Sequence, residues 1–205
     1  MTELFVSALI TFFVAIDPPG CAAIYASMTT DASPAQRRAM AFRAIFVSAI
    51  ILLIFGFFGE ALLTAIGVSL DSFRIAGGIM LFVIALEMVF EKRTERREGR
   101  AQEIIDTPEI EDVSIFPMAM PMIAGPGSIA ALMLYIGQAE TMAEQWVVLG
   151  AVGVILFVML LSMLLAGPLM KIMGQKVETV ITRVLGVILA ALAIQFVVDG
   201  LKASF

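Results

Sequence analysis

The sequence predicts an all-α, polytopic membrane protein of six transmembrane helices, and three observations carry that prediction. First, 60% of its 205 residues are hydrophobic, against about half in a water-soluble domain. Second, apolar runs of about 20 residues recur, the length a helix needs to cross a hydrocarbon core of roughly 30 Å. Third, the runs are continuous rather than alternating, which argues against a transmembrane barrel. The mean hydropathy of +1.01 agrees.

The elements follow from the polar punctuation. Span 1 is placed at about 4–27 and ends at TTDASPAQRR. Its flank, Met1-Thr2-Glu3, has no Lys or Arg, and an acid followed by two prolines is a poor cleavage site, so it reads as mature chain rather than a signal peptide. Spans 2 and 3 are placed at 42–63 and 73–91. The stretch KRTERREGRAQEIIDTPEIEDV (92–113) carries charges of both signs and reads as a solvated linker. Spans 4, 5 and 6 are placed at 114–137, 146–169 and 179–200, separated by QAETMAEQ and KIMGQKVET. The connections after spans 1, 3 and 5, with Arg183 at the start of span 6, hold 11 of the 13 basic residues; Arg74 and Lys202 lie on the other side. By the positive-inside rule both termini lie outside and the 92–113 linker is cytoplasmic. A rival arrangement makes segments 1 and 4 re-entrant hairpins and divides the basic residues 9 against 4.

The second half echoes the first. AIDPPGC (15–21) aligns with MIAGPGS (122–128) at a shift of 107, which puts Pro19 on Pro126, Gly20 on Gly127 and Cys21 on Ser128. The same shift puts Gly67 on Gly174, and a shift of 109 puts RIAGGIM (74–80) on RVLGVIL (183–189). The chain therefore divides into a first three-span repeat (1–91), the linker (92–113) and a second three-span repeat (114–205). With an odd number of spans in each half, the second half must enter the membrane from the opposite face, giving inverted repeats.

Spans 1 and 4 are expected to be broken at mid-membrane. Pro18 and Pro19 lack backbone N–H groups and clash with the preceding turn, so carbonyls around Phe13 to Ile16 lose their helical partners. Hydrocarbon does not tolerate such groups unless protein or a wet cavity meets them. Beyond each break a half-helix restarts. Asp17 suits an N-cap, and the amides of Gly20, Cys21 and Ala22 would point to the membrane centre with a partial positive charge. Gly127, Ser128 and Ile129, following Gly125-Pro126, offer the same amides in the second copy, where Ala124 replaces the acid. Such ends bind carboxylates and other anions. The candidate substrate-binding set is thus Asp17, Pro18, Pro19, Gly20, Cys21, Gly125, Pro126, Gly127 and Ser128. An acid inside a membrane is a functional candidate by default. Asp17 is open to two further roles, facing a substrate ammonium or carrying a proton. The bland reading is that the prolines only bend helices and Asp17 only caps amides.

Other polar residues read as structural. Arg74 and Arg183 lie near span ends and are expected to snorkel. Thr11, Ser48, Ser162 and Gln195 are expected to be helix–helix hydrogen-bond partners. With no histidine and Cys21 as the one cysteine, internal disulfides, the usual zinc sites and a Ser-His triad are excluded. No G-x-x-x-x-G-K-[ST] loop occurs. No cofactor, metal, nucleic acid or enzymatic activity is expected.

LFVSALITFFVAIDPPG, PMAMPMIAGPGSI (117–129) and RIAGGIMLFVIALEM resemble the MarC family, also described as a small neutral amino acid transporter family of prokaryotic membrane proteins. The resemblance covers nearly the whole chain. It implies six spans, a prokaryotic plasma membrane and transport of small neutral amino acids such as glycine and alanine. The family pattern has Asn, and Pro two residues later, where this chain has Cys21 and Ala23, and Ile-Thr where it has Ile129-Ala130. The function expected is a secondary transporter working by alternating access, with H+ or Na+ as candidate coupling ions. The alternatives are a passive channel or a non-transporting membrane protein of the same family.

Overall fold

Four of the helices start where the sequence supplies a capping side chain, Asp17, Ser33, Ser69 or Thr141. In the computed structural model, which describes residues 1–105 and 112–204, all regular structure is helical. Side chains are described there except at 94, 100, 101, 103–105, 170–176 and 178. The middle of the expected linker, 106–111, lies outside the described residues, as do the side chains of Arg100, Lys171 and Lys176.

Helices α1 (Thr2–Ile16) and α2 (Pro18–Met28) meet at Asp17. Helix α3 (Pro34–Ala65) starts from a full capping box, in which the Gln36 amide donates to Ser33 Oγ and the Ser33 amide to Gln36 Oε1. Pro34 fills the first helical position, where its missing N–H costs nothing. The helix ends through Gly67 at φ 75°, a left-handed conformation that lets the Val68 amide return to the Leu63 carbonyl. Helix α4 (Leu70–Val89) is capped by Ser69 and α7 (Met142–Leu164) by Thr141. Between them lie α5 (Lys92–Ile105), an irregular segment (Ser114–Ile123) and α6 (Pro126–Gln138), and α8 (Ala166–Ser204) closes the chain.

Five stretches are long and apolar enough to cross a membrane: Thr2–Met28, α3, α4, α7 and Thr179–Ser204. A sixth is present if Ser114–Ile123 and α6, bent 50° to each other, form one span. Large apolar side chains on the outside, among them Phe46, Phe57, Phe58 and Val187, are exposed, as lipid-facing residues must be. The interior is held by α1, α2 and α6, where Phe12, Ile16, Tyr25, Leu132 and Leu134 are buried. The Tyr135 hydroxyl of α6 bonds Ser7 Oγ (2.8 Å) and Thr11 Oγ1 (2.9 Å) of α1. Its ring packs edge-on to Phe196 of α8.

Helices α4 and α8 pack antiparallel through glycines that admit close backbone approach. Gly78 sits against Ala193 and Val197, Gly186 against Ala85 and Met88, and Gly200 against Asp71 and Ile75.

Three expectations change. The 92–113 connection is not simply a solvated linker: its first half is α5, and Arg93 is only 7% exposed. The reason is that the first break offers carbonyls and a carboxylate that need donors. The polar stretch 171–179 does not separate two helices; α8 runs through it, and the turn lies earlier, at Leu165. Pro168 falls in the first turn of α8, where it is tolerated. Third, the break in segment 4 is longer than Gly125–Gly127. Phe116 and Met120 take extended conformations, as residues preceding Pro117 and Pro121 are pushed to do.

Of the polar side chains expected between helices, Thr11 bridges to α6. Ser48 and Ser162 instead bond carbonyls one turn back in their own helices, and Gln195 bonds Asp199. Arg183 pairs with Glu91 and Arg74 with Asp71.

Candidate functional site

The two breaks treat their freed backbone groups differently. At the first, Asp17 adopts φ 60°, ψ 68° and serves as the C-cap of α1 and the N-cap of α2. Its amide still reaches the Phe13 carbonyl at 2.9 Å, and its own carbonyl accepts from the Cys21 amide at 3.0 Å. Pro18 and Pro19 have no N–H to give to Val14 and Ala15, four residues back. Arg93 supplies the missing donors, Nη1 to the Val14 oxygen (3.4 Å) and Nη2 to the Ala15 oxygen (2.5 Å). The Gly20 amide turns to Asp17 Oδ1 (3.3 Å), which leaves the Ile16 carbonyl, and Cys21 Sγ donates to that at 3.2 Å. A Cβ at Gly20 would collide with the Asp17 carboxylate. Every carbonyl from Phe13 to Asp17 has a donor.

Asp17 is 3% exposed. Its Oδ2 accepts from Arg97 Nη1 at 3.0 Å, an ion pair whose side chains are 4% and 10% exposed. Burial pushes the Arg93 guanidinium down to about 10; neighbouring Arg97 adds to the shift and Asp17 opposes it, so Arg93 stays charged at neutral pH.

At the second break Ser128 repeats the Cys21 bond. Its Oγ donates to the carbonyl five residues back, that of Ile123, at 2.6 Å, and also to Gly125 at 3.0 Å. The likeness stops there. Pro126 frees the Met122 carbonyl, and no donor for it is found among the described residues. The first-turn amides of Gly127 and Ser128 likewise have no acceptor among the described residues; the first backbone bond of α6 runs from Ile129 to Gly125. Gly125 lies close against the Pro121 carbonyl, and a Cβ at Gly127 would meet Ile84 Cδ1 at 2.7 Å.

What stands beside this second break is an open cavity of about 860 Å³. Gly125, Pro126, Gly127 and Ser128 line one side, apolar residues of α4 such as Ile79 and Val83 another, and Arg93, Arg96, Arg97 and Glu87 a third. The first-break residues Asp17, Pro18, Pro19, Gly20 and Cys21 are not on its wall; Ala15 is the nearest contribution from α1. So four of the nine sequence-derived candidates meet the cavity, and the other five do not; Asp17 is joined to its wall through Arg97. The arginines of α5 were missed. Their signal in the sequence was present but looked like a charged linker.

Electrostatically the cavity has an excess of one positive charge: Arg93, Arg96 and Arg97 against Asp17 and Glu87. Arg96 is committed to Glu87 through two parallel bonds of 2.8 and 2.6 Å. The site thus offers an uncompensated cation and two free amides at a helix N-terminus, in an otherwise apolar setting. That combination suits one carboxylate. No group of three or more Cys, Asp or Glu that could hold a metal ion occurs among the described residues.

Comparison with known proteins agrees with the all-helical membrane architecture. The family model described as MarC family integral membrane protein matches residues 2–205. A UPF0056 membrane protein of Methanocaldococcus jannaschii is 32% identical over 202 residues, 98% of each chain. The UPF0056 membrane protein YhcE of Escherichia coli is 33% identical over 196 residues, 96% of this chain and 91% of its own. One from Buchnera aphidicola is 34% identical over 203 residues, 97% of this chain and 94% of its own. No solved structure matches.

Proposed function

The chain belongs to the MarC family of integral membrane proteins, and from that premise we propose that it is a secondary transporter of a small carboxylate-bearing solute, with glycine and alanine as the first candidates. The observation that carries this reading is the cavity beside Pro126, which joins free helix-terminal amides to an excess arginine charge. The solute's carboxylate meets those donors. An ammonium group on the same molecule is met by the Met122 carbonyl that Pro126 leaves open, rather than by Asp17, which Arg97 and the Gly20 amide already hold.

Alternating access is supported by the sequence repeat and by the two i−5 bonds of Cys21 and Ser128, which recur at its shift of 107. Gly78 and Gly186 bring α4 of the first half close against α8 of the second, on Ala193 and Val197 and on Ala85 and Met88. Inverted halves that exchange conformations would rock about such a pair of helices. The basic residues favour outside termini and a cytoplasmic 92–113 segment in a prokaryotic plasma membrane. H+ or Na+ is the coupling ion, and no chemical step is assigned to the chain.

Purified protein in liposomes is expected to accumulate labelled glycine or alanine, saturably, under an ion gradient. Asp17→Asn weakens accumulation, because it loosens the element that holds α5 on the break. Wild-type vesicles that take up no amino acid from a broad panel would sink the substrate claim. Uptake that never saturates and never exceeds equilibrium would make the protein a channel.

A further inference from the structure

We infer that Arg97 is the residue that takes the solute's carboxylate, and that it leaves Asp17 to do so. The inference rests on the transporter reading and adds to it a named, exchangeable partner.

Three arginines of α5 reach the cavity, and two are committed. Arg93 spends both Nη groups on the Val14 and Ala15 carbonyls, which nothing else satisfies. Arg96 is held by both oxygens of Glu87. Arg97 is different. A guanidinium carries five N–H donors, and among the described residues Arg97 uses one, Nη1, on a single oxygen of Asp17. Its remaining nitrogens are not among the buried atoms that lack a partner, and the side chain lies on the cavity wall.

A carboxylate entering the cavity can therefore offer Arg97 two parallel bonds in place of one, the stronger arrangement. In the exchange Asp17 gives up its ion pair and keeps the Gly20 amide on Oδ1 and the nearby Arg93 charge, a loss that the solute's two bonds to Arg97 outweigh. The charge count agrees, since one added carboxylate cancels the one excess positive charge. The exchange also links binding to shape. While Arg97 holds Asp17, α5 is fastened to the first break; when the solute holds Arg97, that fastening is the one released. Asp17 is then a competitor for Arg97 rather than a ligand of the solute.

The test is equilibrium binding of labelled alanine to the detergent-purified full chain, with unlabelled propionate and ethylamine as competitors. Propionate displaces alanine and ethylamine does not. Asp17→Asn binds alanine roughly tenfold tighter, because the competing carboxylate is gone, although the same variant transports more slowly. Arg97→Gln loses binding. Because that variant leaves Asp17 unpaired and can fail to fold, the double variant Asp17→Asn/Arg97→Gln is measured beside it. It removes both charges with little change in volume, melts near the wild-type temperature, and still does not bind. Wild-type affinity in the double variant, unchanged affinity in Asp17→Asn, or displacement by ethylamine but not propionate would each overturn the inference while leaving transport intact. Absence of both binding and uptake in the wild type removes the inference together with the transporter reading.

Discussion

The two breaks begin from similar sequences, AIDPPGC and MIAGPGS, and end in opposite states. The first is closed. Arg93, Asp17 and Cys21 occupy its freed groups, Arg97 pairs with the Asp17 carboxylate, and all of 14–21 but Pro19 are buried. The second shares only the hydroxyl bond of Ser128, and a cavity stands where the first has arginine side chains. One residue separates the copies most clearly. Asp17 has its counterpart in Ala124, and only the acid can recruit Arg97. On the transporter reading proposed above, such a pair would divide the labour: the first break anchors α5, and the second faces the solute.

The largest effect that sharpens this contrast is on stability. Arg97→Ala leaves Asp17 charged, buried and unpaired, and should cost about 3–5 kcal/mol. Arg96→Ala, whose own side chain is 53% exposed in its pair with Glu87, should cost no more than about 1 kcal/mol. Thermal unfolding in detergent compares them. Equal losses would mean that the Asp17–Arg97 pair does not anchor the first break.

Next is the backbone of the second break. A Cβ at Gly125 points straight into the Pro121 carbonyl, a backbone atom that cannot swing aside. Gly125→Ala should therefore destabilise by about 1–3 kcal/mol, and uptake should fall with the distorted cavity. Gly150→Ala, with nothing within 4 Å of the new atom, is the control and should be neutral in both assays.

The smallest effect separates the two i−5 bonds. Ser128→Ala removes a hydroxyl that serves two carbonyls and should cost about 1–2 kcal/mol. Cys21→Ala removes a weaker donor from one and should cost less, below about 1 kcal/mol. A larger loss at Cys21 than at Ser128 would reverse the ranking of the two sites.

Much of this was legible in the sequence because membrane helices announce themselves by length and hydropathy. The helical stretches, the break at Asp17 and the restart at Pro126 could be read from apolar runs and proline chemistry alone. The pairing of Cys21 with Ser128 was visible as a repeat, though not that each would bond the carbonyl five residues back. The fate of α5 was hidden for a physical reason. Arg93 and Arg97 sit in a stretch as polar as any solvated linker, and their burial depends on acceptors nearly 80 residues away that only folding brings near. The irregular 114–123 segment was hidden less deeply: Pro117 and Pro121, four apart, forbid a regular helix through Phe116 and Met120. The polar run 171–179 misled in the other direction, since a polar stretch with no proline has no reason to stop a helix.

The central claim is that the second break, and not the first, meets water and solute. Thiol accessibility tests it directly, because each break provides a position. Cys21 is fully buried, whereas Pro126 is exposed on the cavity wall. In the wild type, Cys21 should resist a small charged thiol reagent as long as the protein is folded. In the Cys21→Ser background, Pro126→Cys should react readily, and saturating alanine should slow the reaction. A Pro126→Cys thiol as inert as Cys21, or a Cys21 that reacts and is protected by alanine, would contradict the account.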